Sequence, residues 1–242
     1  MSNRVLVLMA GGYPDTCVQK HLIRNKKTGN YLFEDIIMAV PADTVFIILN
    51  RVHVSFWQRW LMEVINKDTG KFKDKRISTF LDTQNGKGLV ANPARWITGL
   101  GVYTARNRVE EVVVSAIDSY YSNFDFIDKF ITRDHAIVVA KCDRWGRPVV
   151  TLDWRGDLKT APYVCGTNPN HTEDWVYADM MKTTTKELLA QGPLFKGTMS
   201  DVIARMMSKG TKFRVIKVNG LYIDVGSSEG LNRATSLEVV VA

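Results

Sequence analysis

Residues 5–12 read Val-Leu-Val-Leu-Met-Ala-Gly-Gly, a continuous apolar run that ends at two glycines. A run of this kind is typical of a strand that is buried on both faces, as the strands of a parallel sheet are. Further apolar runs of strand length lie at residues 44–49, 77–81, 111–116 and 136–141. The stretch 5–12 therefore predicts the first strand of a buried, mainly parallel sheet.

Segments with helical spacing lie between these runs, at residues 32–40, which Pro41 stops, at 54–65 and from 93 to 100. Strands that alternate with helices over the first 140 residues predict βαβ units with right-handed crossovers and helices on both faces of the sheet. The regular alternation of strands and helices does not continue after residue 148. The expected strands there are 148–153 and 213–218, the expected helices are 186–191 and 199–209, and residues 66–76 and 163–171 are expected to form loops.

The composition is that of an ordinary globular protein of 242 residues, with 45% hydrophobic and 24% charged residues. This balance is sufficient to bury a sizeable core. No stretch of about 18 uncharged apolar residues occurs, so we expect no membrane span. The apolar N-terminus is short and runs into Gly11 and Gly12, which favours a buried strand over a signal peptide.

Three cysteines and four histidines are scattered along the chain without the spacing of a zinc site. The cysteines form no CxxC pair and are odd in number, which argues against a disulfide framework. We therefore expect a protein of a reducing compartment, the cytoplasm, without a structural zinc ion.

The formal net charge is +7, with lysine and arginine spread along the chain and only mild clusters at 24–27 and 71–76. A basic surface attracts anions, and the scatter argues for a small phosphate-bearing ligand rather than a nucleic-acid groove. A solvated surface that serves solubility is the alternative interpretation of the same charge.

Residues that follow the apolar runs are candidate ligand contacts, because ligands of open α/β sheets bind outside the carboxyl ends of the strands. Ala10, Gly11 and Gly12 follow the first run. Their backbone can approach a ligand closely, and their N–H groups can cradle phosphates. Lys20 lies just beyond and can neutralise phosphate charge. The alternative is that the paired glycines form only a turn.

Aspartates end two other apolar runs, Asp118 after residues 111–116 and Asp224 at the end of residues 221–224. Carboxylates at the rim of a sheet can hold a hard cation such as Mg²⁺. Each aspartate taken alone is as well explained as a turn residue or a helix N-cap. A shared cation requires the two carboxyl groups to lie within about 10 Å of each other.

The order of these segments resembles that of the sugar-phosphate nucleotidyltransferase family, collinearly over almost the whole chain. Residues 5–12 are similar to the opening strand and glycine loop of that family, and 19–22 (Gln-Lys-His-Leu) to its Pro-Lys-Pro-Leu segment, with Lys20 at the lysine. Residues 112–121 look like the strand that bears the metal-binding aspartate. The most specific match is 221–230 (LYIDVGSSEG), which is similar to the Trp-Ile-Asp-Ile-Gly-Thr-Pro-Glu signature.

The resemblance implies a single Rossmann-like, GT-A-like nucleotidyltransferase domain of the α/β class over residues 1–242. Its mixed, mostly parallel central sheet would be flanked by helices. Residues 1–145 would form the nucleotide-binding half, and 146–242 the acceptor-binding half that completes the metal site. A homo-oligomer is compatible with this architecture.

The reaction implied joins a nucleoside triphosphate to a sugar phosphate or similar phosphorylated small molecule, releases pyrophosphate and gives an NDP-sugar. Asp118 and Asp224 would hold Mg²⁺, and Lys20 would offset the negative charge of the transition state. The implied nucleotide contacts are Ala10, Gly11, Gly12, Gln84, Lys87 and Gly88, and the implied acceptor contacts are Lys159, Trp175 and Tyr177. A core strand is an equally good interpretation of residues 175–179.

The chain departs from the family in the loop after the first strand. That loop usually continues Gly-x-Gly-Thr-Arg, whose arginine helps catalysis, whereas residues 11–17 here read Gly-Gly-Tyr-Pro-Asp-Thr-Cys. A catalytically impaired nucleotide-binding or regulatory homologue is therefore one alternative. A nucleotide-sugar glycosyltransferase is the other, although the Asp-x-Asp motif of those enzymes is absent from Asp118-Ser119-Tyr120.

Overall fold

A computed structural model describes residues 3–10, 20–50, 53–66, 69, 71–82, 93–141, 148–164, 175–191 and 198–241. The strands are β1 (Arg4–Ala10), β2 (Ile23–Asn25), β3 (Thr44–Asn50), β4 (Lys71–Phe72), β5 (Lys75–Asp82), β6 (Glu111–Ala116), β7 (Ser119–Tyr121), β8 (Ala136–Lys141), β9 (Pro148–Leu152), β10 (Leu158–Val164), β11 (Trp175–Thr184), β12 (Arg214–Lys217), β13 (Tyr222–Asp224) and β14 (Val239–Val241). The helices are α1 (Leu32–Ala39), α2 (Val54–Val64), α3 (Pro93–Asn107), α4 (Ile127–Ile131), α5 (Thr185–Leu189), α6 (Met199–Ser208) and α7 (Ser228–Leu237), with a short 3-10 helix at Lys20–Leu22.

The main sheet has the strand order β10-β9-β11-β6-β1-β3-β5-β4, and β8 and β12 extend it from β11. Its centre is parallel, since β1 pairs with β3 and β6 and β3 pairs with β5 in that sense. β11 then runs antiparallel to β6, β8 and β9. The predicted α/β fold with a mixed central sheet is confirmed.

The sheet presents the carboxyl ends of its main strands along one edge. β8 and β6 are both antiparallel to β11, and β12 is parallel to β8, so all three share the direction of β1. The carboxyl ends of β1, β6 and β8 therefore lie on the same side of the fold, which is where ligands of α/β sheets bind.

The first strand is buried on both faces, as its sequence predicts. Leu6 and Leu8 pack into one hydrophobic cluster, with α1 and α2, while Val5 and Val7 pack into a second, with α3 and α6. The alternation follows from the two-residue period of a strand. Because helices cover both faces of the sheet, the side chains on both sides of this strand pack in apolar surroundings. This explains the continuous apolar run in its sequence.

The expected loop over residues 66–76 is wrong. β4 and β5 form an antiparallel hairpin there, and Lys73 adopts a left-handed backbone (φ 57°) at the turn. Lys75 is buried because its Nζ donates to the carbonyls of Val40 and Ala42, each at 3.1 Å. The lysines of this segment suggest a solvent-exposed loop. Its structure is instead determined by the pairing of β5 with β3 and by the hydrogen bonds from Lys75 to the backbone carbonyls that follow α1.

Within the described ranges, no helix is both long enough and apolar enough to cross a membrane.

A buried charge network ties the start of β1 to β6 and β11. Arg4 donates to Glu111 Oε2 through Nε at 2.8 Å and Nη2 at 2.5 Å, and Lys182 Nζ donates to Glu111 Oε1 at 2.7 Å. Lys182 is only 1% exposed. Glu111 therefore compensates the charge of a lysine that has no route to solvent.

We expect Glu111→Gln to lower the free energy of unfolding by about 3 kcal/mol, because it leaves the buried Lys182 ammonium without its counter-charge. Urea unfolding of the variant and the wild type measures the difference. The matched control is Asp157→Asn, which breaks an ion pair with Arg214 whose side chain is 55% exposed and should cost less than about 1 kcal/mol. Equal losses in the two variants would contradict the network.

The same network predicts acid sensitivity. Burial alone would raise the pKa of Glu111, but the hydrogen bonds from Lys182 and Arg4 hold it below its usual value of 4.5. A carboxyl with a lowered folded-state pKa stabilises the fold above its usual pKa, and this stability is lost as the pH falls through the folded-state value. The wild type should therefore lose stability below pH 4.5, and Glu111→Gln should lack that part of the loss.

Candidate active site

Three chain segments bring an ammonium group and two carboxylates together at the carboxyl edge of the sheet. Lys20 lies in the 3-10 helix, Asp118 lies between β6 and β7, and Asp224 ends β13. Lys20 Nζ donates to Asp118 Oδ2 at 2.5 Å. Both aspartates are less than one-tenth exposed, so their charges interact in a setting that water screens poorly.

The two aspartates meet because β7 and β13 pair in antiparallel register, with Ser119 opposite Asp224. Val225 N–H also donates to the carbonyl of Asp118 at 2.9 Å, which continues the pairing beyond the strands. Asp118 and Asp224 lie about a hundred positions apart in the sequence. The backbone pairing of the two strands therefore fixes their approach.

Because Gly226 has no side chain, the charged groups have space to converge beside it. Its N–H donates to Asp224 Oδ1 at 2.8 Å. A Cβ at this position would lie 2.4 Å from Asp118 Oδ2, 2.7 Å from Lys20 Nζ and 2.9 Å from Asp224 Oδ1. The two carboxylate oxygens are thus within 3 Å of one point, far inside the ~10 Å that a shared cation allows.

The electrostatics favour a charged lysine. Burial alone would lower the pKa of Lys20, but the charge and hydrogen bond of Asp118 and the charges of Asp224 and Asp179 raise it above its usual value of 10.5. A lysine with a raised pKa stays protonated throughout the neutral range. The cleft therefore carries a permanent ammonium group between acidic side chains.

Asp179 is a third acidic residue of the cleft. The sequence analysis considered the segment 175–179 as a whole but did not select Asp179 as a site residue. It lies at a bulge in β11, where the pairing with β8 shifts between Tyr177 and Met181. Tyr222 Oη donates to Asp179 Oδ2 at 2.6 Å. The sequence does contain a signal for this residue. Asp179 is the one charged residue in the apolar run Trp-Val-Tyr-Ala-Asp-Met-Met (175–181), and a strand buried in the core does not explain a charge at this position.

The donor chemistry of the cleft suits a hard divalent cation. Asp118 and Asp224 offer carboxylate oxygens, the ligands that Mg²⁺ prefers, around the space that the missing side chain of Gly226 leaves. Within the part of the chain that the structure describes, no group of three or more His, Cys, Asp or Glu residues forms a complete metal site. A cation here would take its remaining ligands from water or from a bound phosphate, as Mg²⁺ commonly does.

The predicted acceptor contacts lie elsewhere along the edge. Trp175 is half-buried at the start of β11, with Lys141 Nζ 4.8 Å and Lys217 Nζ 4.5 Å from its ring centre. Tyr177 is buried in the core, and Lys159 is exposed on β10. Tyr177 thus belongs to the core, as the core-strand interpretation expects, and Trp175 lies at the partly exposed start of the strand.

Most of the predicted nucleotide contacts lie outside the described residues. These are Gly11, Gly12, Gln84, Lys87 and Gly88. Ala10 is described, as the buried last residue of β1, where the chain reaches the carboxyl edge.

Comparisons with known proteins identify the fold. No family model matches the chain, and no curated protein matches it significantly. Solved structures match over 97% of the chain. One from Bacillus anthracis, described as a glucose-1-phosphate thymidylyltransferase in complex with a sucrose, has a TM-score of 0.69, 14% identity and 94% of its own length covered. HddC from Yersinia pseudotuberculosis has a TM-score of 0.67, 13% identity and 98% coverage.

The inositol-1-phosphate CTP transferase from T. maritima is a third neighbour, with a TM-score of 0.68, 11% identity, and coverage of 97% of this chain and 93% of its own. The three neighbours share the α/β architecture of this chain almost from end to end. At these identities the likeness establishes the fold, and the chemistry has to be argued from the site.

We expect Gly226→Ala to lower the free energy of unfolding by about 1–3 kcal/mol, because the new methyl group overpacks the space between the charged groups. Thermal and urea unfolding measure it. Gly101→Ala is the matched control, since its Cβ would meet only the end of the Leu189 side chain at 3.3 Å and alanine favours the helix. Retention of full stability in Gly226→Ala would contradict the described convergence.

Proposed function

We propose that this protein is a Mg²⁺-dependent nucleotidyltransferase that joins a nucleoside triphosphate to a sugar phosphate or a similar phosphorylated small molecule and releases pyrophosphate. The observation that carries the proposal is the convergence of Lys20, Asp118 and Asp224 at the carboxyl edge of the sheet. Two of the structural neighbours are described as transferring nucleotides to phosphorylated acceptors, which supports the reaction class.

In this reaction an oxygen of the acceptor phosphate attacks the α-phosphorus of the triphosphate, and the bond to the leaving pyrophosphate breaks. Such a transfer needs little covalent help from the protein, since positioning and charge neutralisation supply most of the rate. The residues of the cleft are suited to those two tasks.

Asp118 and Asp224 are the residues that would hold Mg²⁺. When bound, the ion would neutralise phosphate charge and orient the reacting oxygens. The pairing of β7 with β13 and the space at Gly226 place both carboxylates close to one point. Gly226 keeps the space between them open.

Lys20 would stabilise the negative charge that develops on the phosphates during transfer. The surrounding carboxylates raise its pKa, so the ammonium group is present at any working pH near neutrality. The loop at 11–17 lacks the arginine of the Gly-x-Gly-Thr-Arg pattern, and Lys20 is a cation of the described cleft that would act in its place.

The proposal also assigns the two halves of the chain to the two substrates. Residues 1–145 would bind the nucleotide, and 146–242 would bind the acceptor and complete the metal site through Asp224. Trp175, flanked by two lysines, suits an acceptor that carries a phosphate.

A catalytically impaired nucleotide-binding homologue is the second candidate, favoured by the missing arginine of the loop. A pyrophosphate-release assay with the four NTPs, Mg²⁺ and a panel of sugar phosphates separates the two. Turnover that requires Mg²⁺ supports the enzyme. A rise in melting temperature with Mg²⁺ and an NTP, without turnover, supports the impaired homologue. Release of a nucleoside diphosphate from a nucleotide-sugar would instead identify a glycosyltransferase.

Asp118→Asn should abolish turnover, because this carboxylate would serve the cation. It should leave the fold largely intact, because the charges of Asp224 and Asp179 still compensate the Lys20 ammonium group. Pyrophosphate release and the thermal midpoint measure the two effects. Asp128→Asn, on the exposed face of α4, is the matched control and should keep wild-type turnover. Wild-type activity in Asp118→Asn would remove this carboxylate from the site.

Lys20→Ala should lower kcat at least tenfold, equivalent to about 1.4 kcal/mol of transition-state stabilisation. Steady-state kinetics of pyrophosphate release measure it, with Lys186→Ala on the exposed side of α5 as the control. Lys20→Arg should recover part of the lost rate, since it restores a cation. An unchanged kcat in Lys20→Ala would exclude this lysine from the reaction.

A further inference from the structure

The tip of the hairpin between β9 and β10 carries a tryptophan that lies almost entirely in solvent. Trp154 is 86% exposed, the largest exposed fraction among the large apolar side chains of the described residues. Arg155 follows it and stacks on the indole, with Cζ 4.5 Å from the ring centre. A single exposed apolar side chain is common and needs no explanation by itself. Trp154 differs because the chain holds it in a fixed position beside basic residues.

The turn that carries Trp154 is closed by its own hydrogen bonds. Asp153 Oδ1 accepts the backbone N–H groups of Arg155 at 2.8 Å and of Asp157 at 2.9 Å. Gly156 N–H donates to the carbonyl of Asp153 at 3.0 Å, and Gly156 has a left-handed backbone (φ 78°) that glycine adopts without strain. The turn therefore presents Trp154 and Arg155 in one arrangement, which reduces the entropy that binding would have to overcome.

The base of the turn is attached to the rest of the fold. Arg214 Nη1 donates to both carboxylate oxygens of Asp157, at 2.7 and 2.9 Å, and Leu158 N–H donates to the carbonyl of Phe213 at 3.0 Å. Leu158 and Phe213 are buried in the hydrophobic cluster that also contains Met206 of α6. The tip is therefore a rigid projection of the fold.

The charge of the tip and its base is positive. Two carboxylates lie there, and both are engaged, that of Asp153 by the backbone of the turn and that of Asp157 by Arg214. Four exposed cations accompany them, namely Arg155, Lys159, Lys212 and Arg214. With the protein's net charge of +7, this excess of cations attracts an anionic surface to the tip.

A lipid bilayer suits this surface better than a folded protein does. A stable protein interface buries about 800 Å² on each partner, and the projection at residues 153–157 is too small to supply that area with its one large side chain. A membrane interface requires no matching pocket. It favours tryptophan in particular, because the indole is largely apolar while its N–H can stay in contact with water.

Single-stranded nucleic acid is another anionic partner that aromatic and basic side chains recognise. Proteins that bind it stack successive bases on several rings. At this tip one ring is exposed, and Arg155 covers one of its faces. Tyr163, which is 48% exposed, lies at the far end of β10. The tip thus presents a single open ring face, which fits a membrane interface better than a run of bases.

We propose that the tip of the β9–β10 hairpin is a membrane-docking surface for an anionic bilayer. Trp154 inserts at the interface, and Arg155 and the neighbouring lysines contact lipid phosphates. Docking through one inserted side chain and a few cations is reversible and sensitive to salt. The inference goes beyond the proposed function and does not depend on it, because it uses no residue of the candidate active site.

Vesicle co-sedimentation of the full chain tests the proposal. Vesicles of phosphatidylcholine alone are compared with vesicles in which about one-third of the lipid is phosphatidylglycerol. We expect the wild type to bind the anionic vesicles, and the binding to fall as the ionic strength rises from ~0.05 to ~0.5 M. Trp154→Ala should lower the partition coefficient about tenfold, because it removes the inserted ring. Arg155→Gln should lower it about fivefold, because it removes one cation at the anionic surface.

Two variants on α2 are the matched controls. Met62→Ala removes another highly exposed apolar side chain, and Arg59→Gln removes another exposed cation. Both should bind the vesicles as the wild type does. Trp154→Phe keeps an aromatic ring and should recover part of the binding that Trp154→Ala loses. Thermal midpoints should be unchanged in all of these variants, since each altered side chain is exposed.

The proposal is overturned if the wild type does not bind anionic vesicles, or if Trp154→Ala binds them as well as the wild type does. An equal loss in Met62→Ala also overturns it, because it indicates general adsorption. Fluorescence anisotropy with a single-stranded oligonucleotide and sedimentation equilibrium are run in parallel. Oligonucleotide binding or self-association that is lost in Trp154→Ala, without vesicle binding, assigns the tip to that other partner. The variants should release pyrophosphate at the wild-type rate, so the proposed function is tested separately.

Discussion

The antiparallel pairing of β7 with β13 is the constraint on which the candidate active site depends. It joins residues 119–121 to residues 222–224, and it places one aspartate immediately before the first strand and another at the end of the second. Backbone hydrogen bonds of this kind are insensitive to the repulsion between the two carboxylates, because the strands are held by neighbouring residues such as Tyr120 and Ile223, which are buried in a hydrophobic cluster of their own. The apolar cluster therefore maintains an electrostatic arrangement that the charged groups would not adopt by themselves.

The cleft brings like charges together where water screens them poorly. The charges of Asp118, Asp224 and Asp179 all contribute to the raised pKa of Lys20. The ion pair between Lys20 and Asp118 joins the 3-10 helix to the segment between β6 and β7.

Sequence patterns predicted the parts of this structure that depend on local period and on the edge rule for α/β sheets. The apolar runs gave the strands, since a strand covered on both faces needs no polar positions, and the rule that ligands meet the carboxyl ends selected Lys20, Asp118 and Asp224 as neighbours. The hairpin at β4 and β5 was missed because lysines on a turn resemble a solvated loop, while the contacts that bury Lys75 come from residues after α1. The position of Asp179 at a bulge could not be predicted for a similar reason. Its bulge depends on Tyr121 and Tyr222, which approach it only in the folded chain.

Asp179 has a left-handed backbone (φ 55°) although it lies within β11, and the surrounding sheet explains how this strain is tolerated. A left-handed aspartate weakens β11, yet the strand is anchored on both sides of the bulge by pairing with β6, β8 and β9. An anchored strand can hold one unfavourable residue without losing its register, because a slip would move every neighbouring apolar side chain to the wrong face. A flexible loop could present the same carboxylate without strain, but it would not fix the distance to Lys20. The sheet holds Asp179 rigidly, and the strained backbone is the consequence of building this residue into a strand.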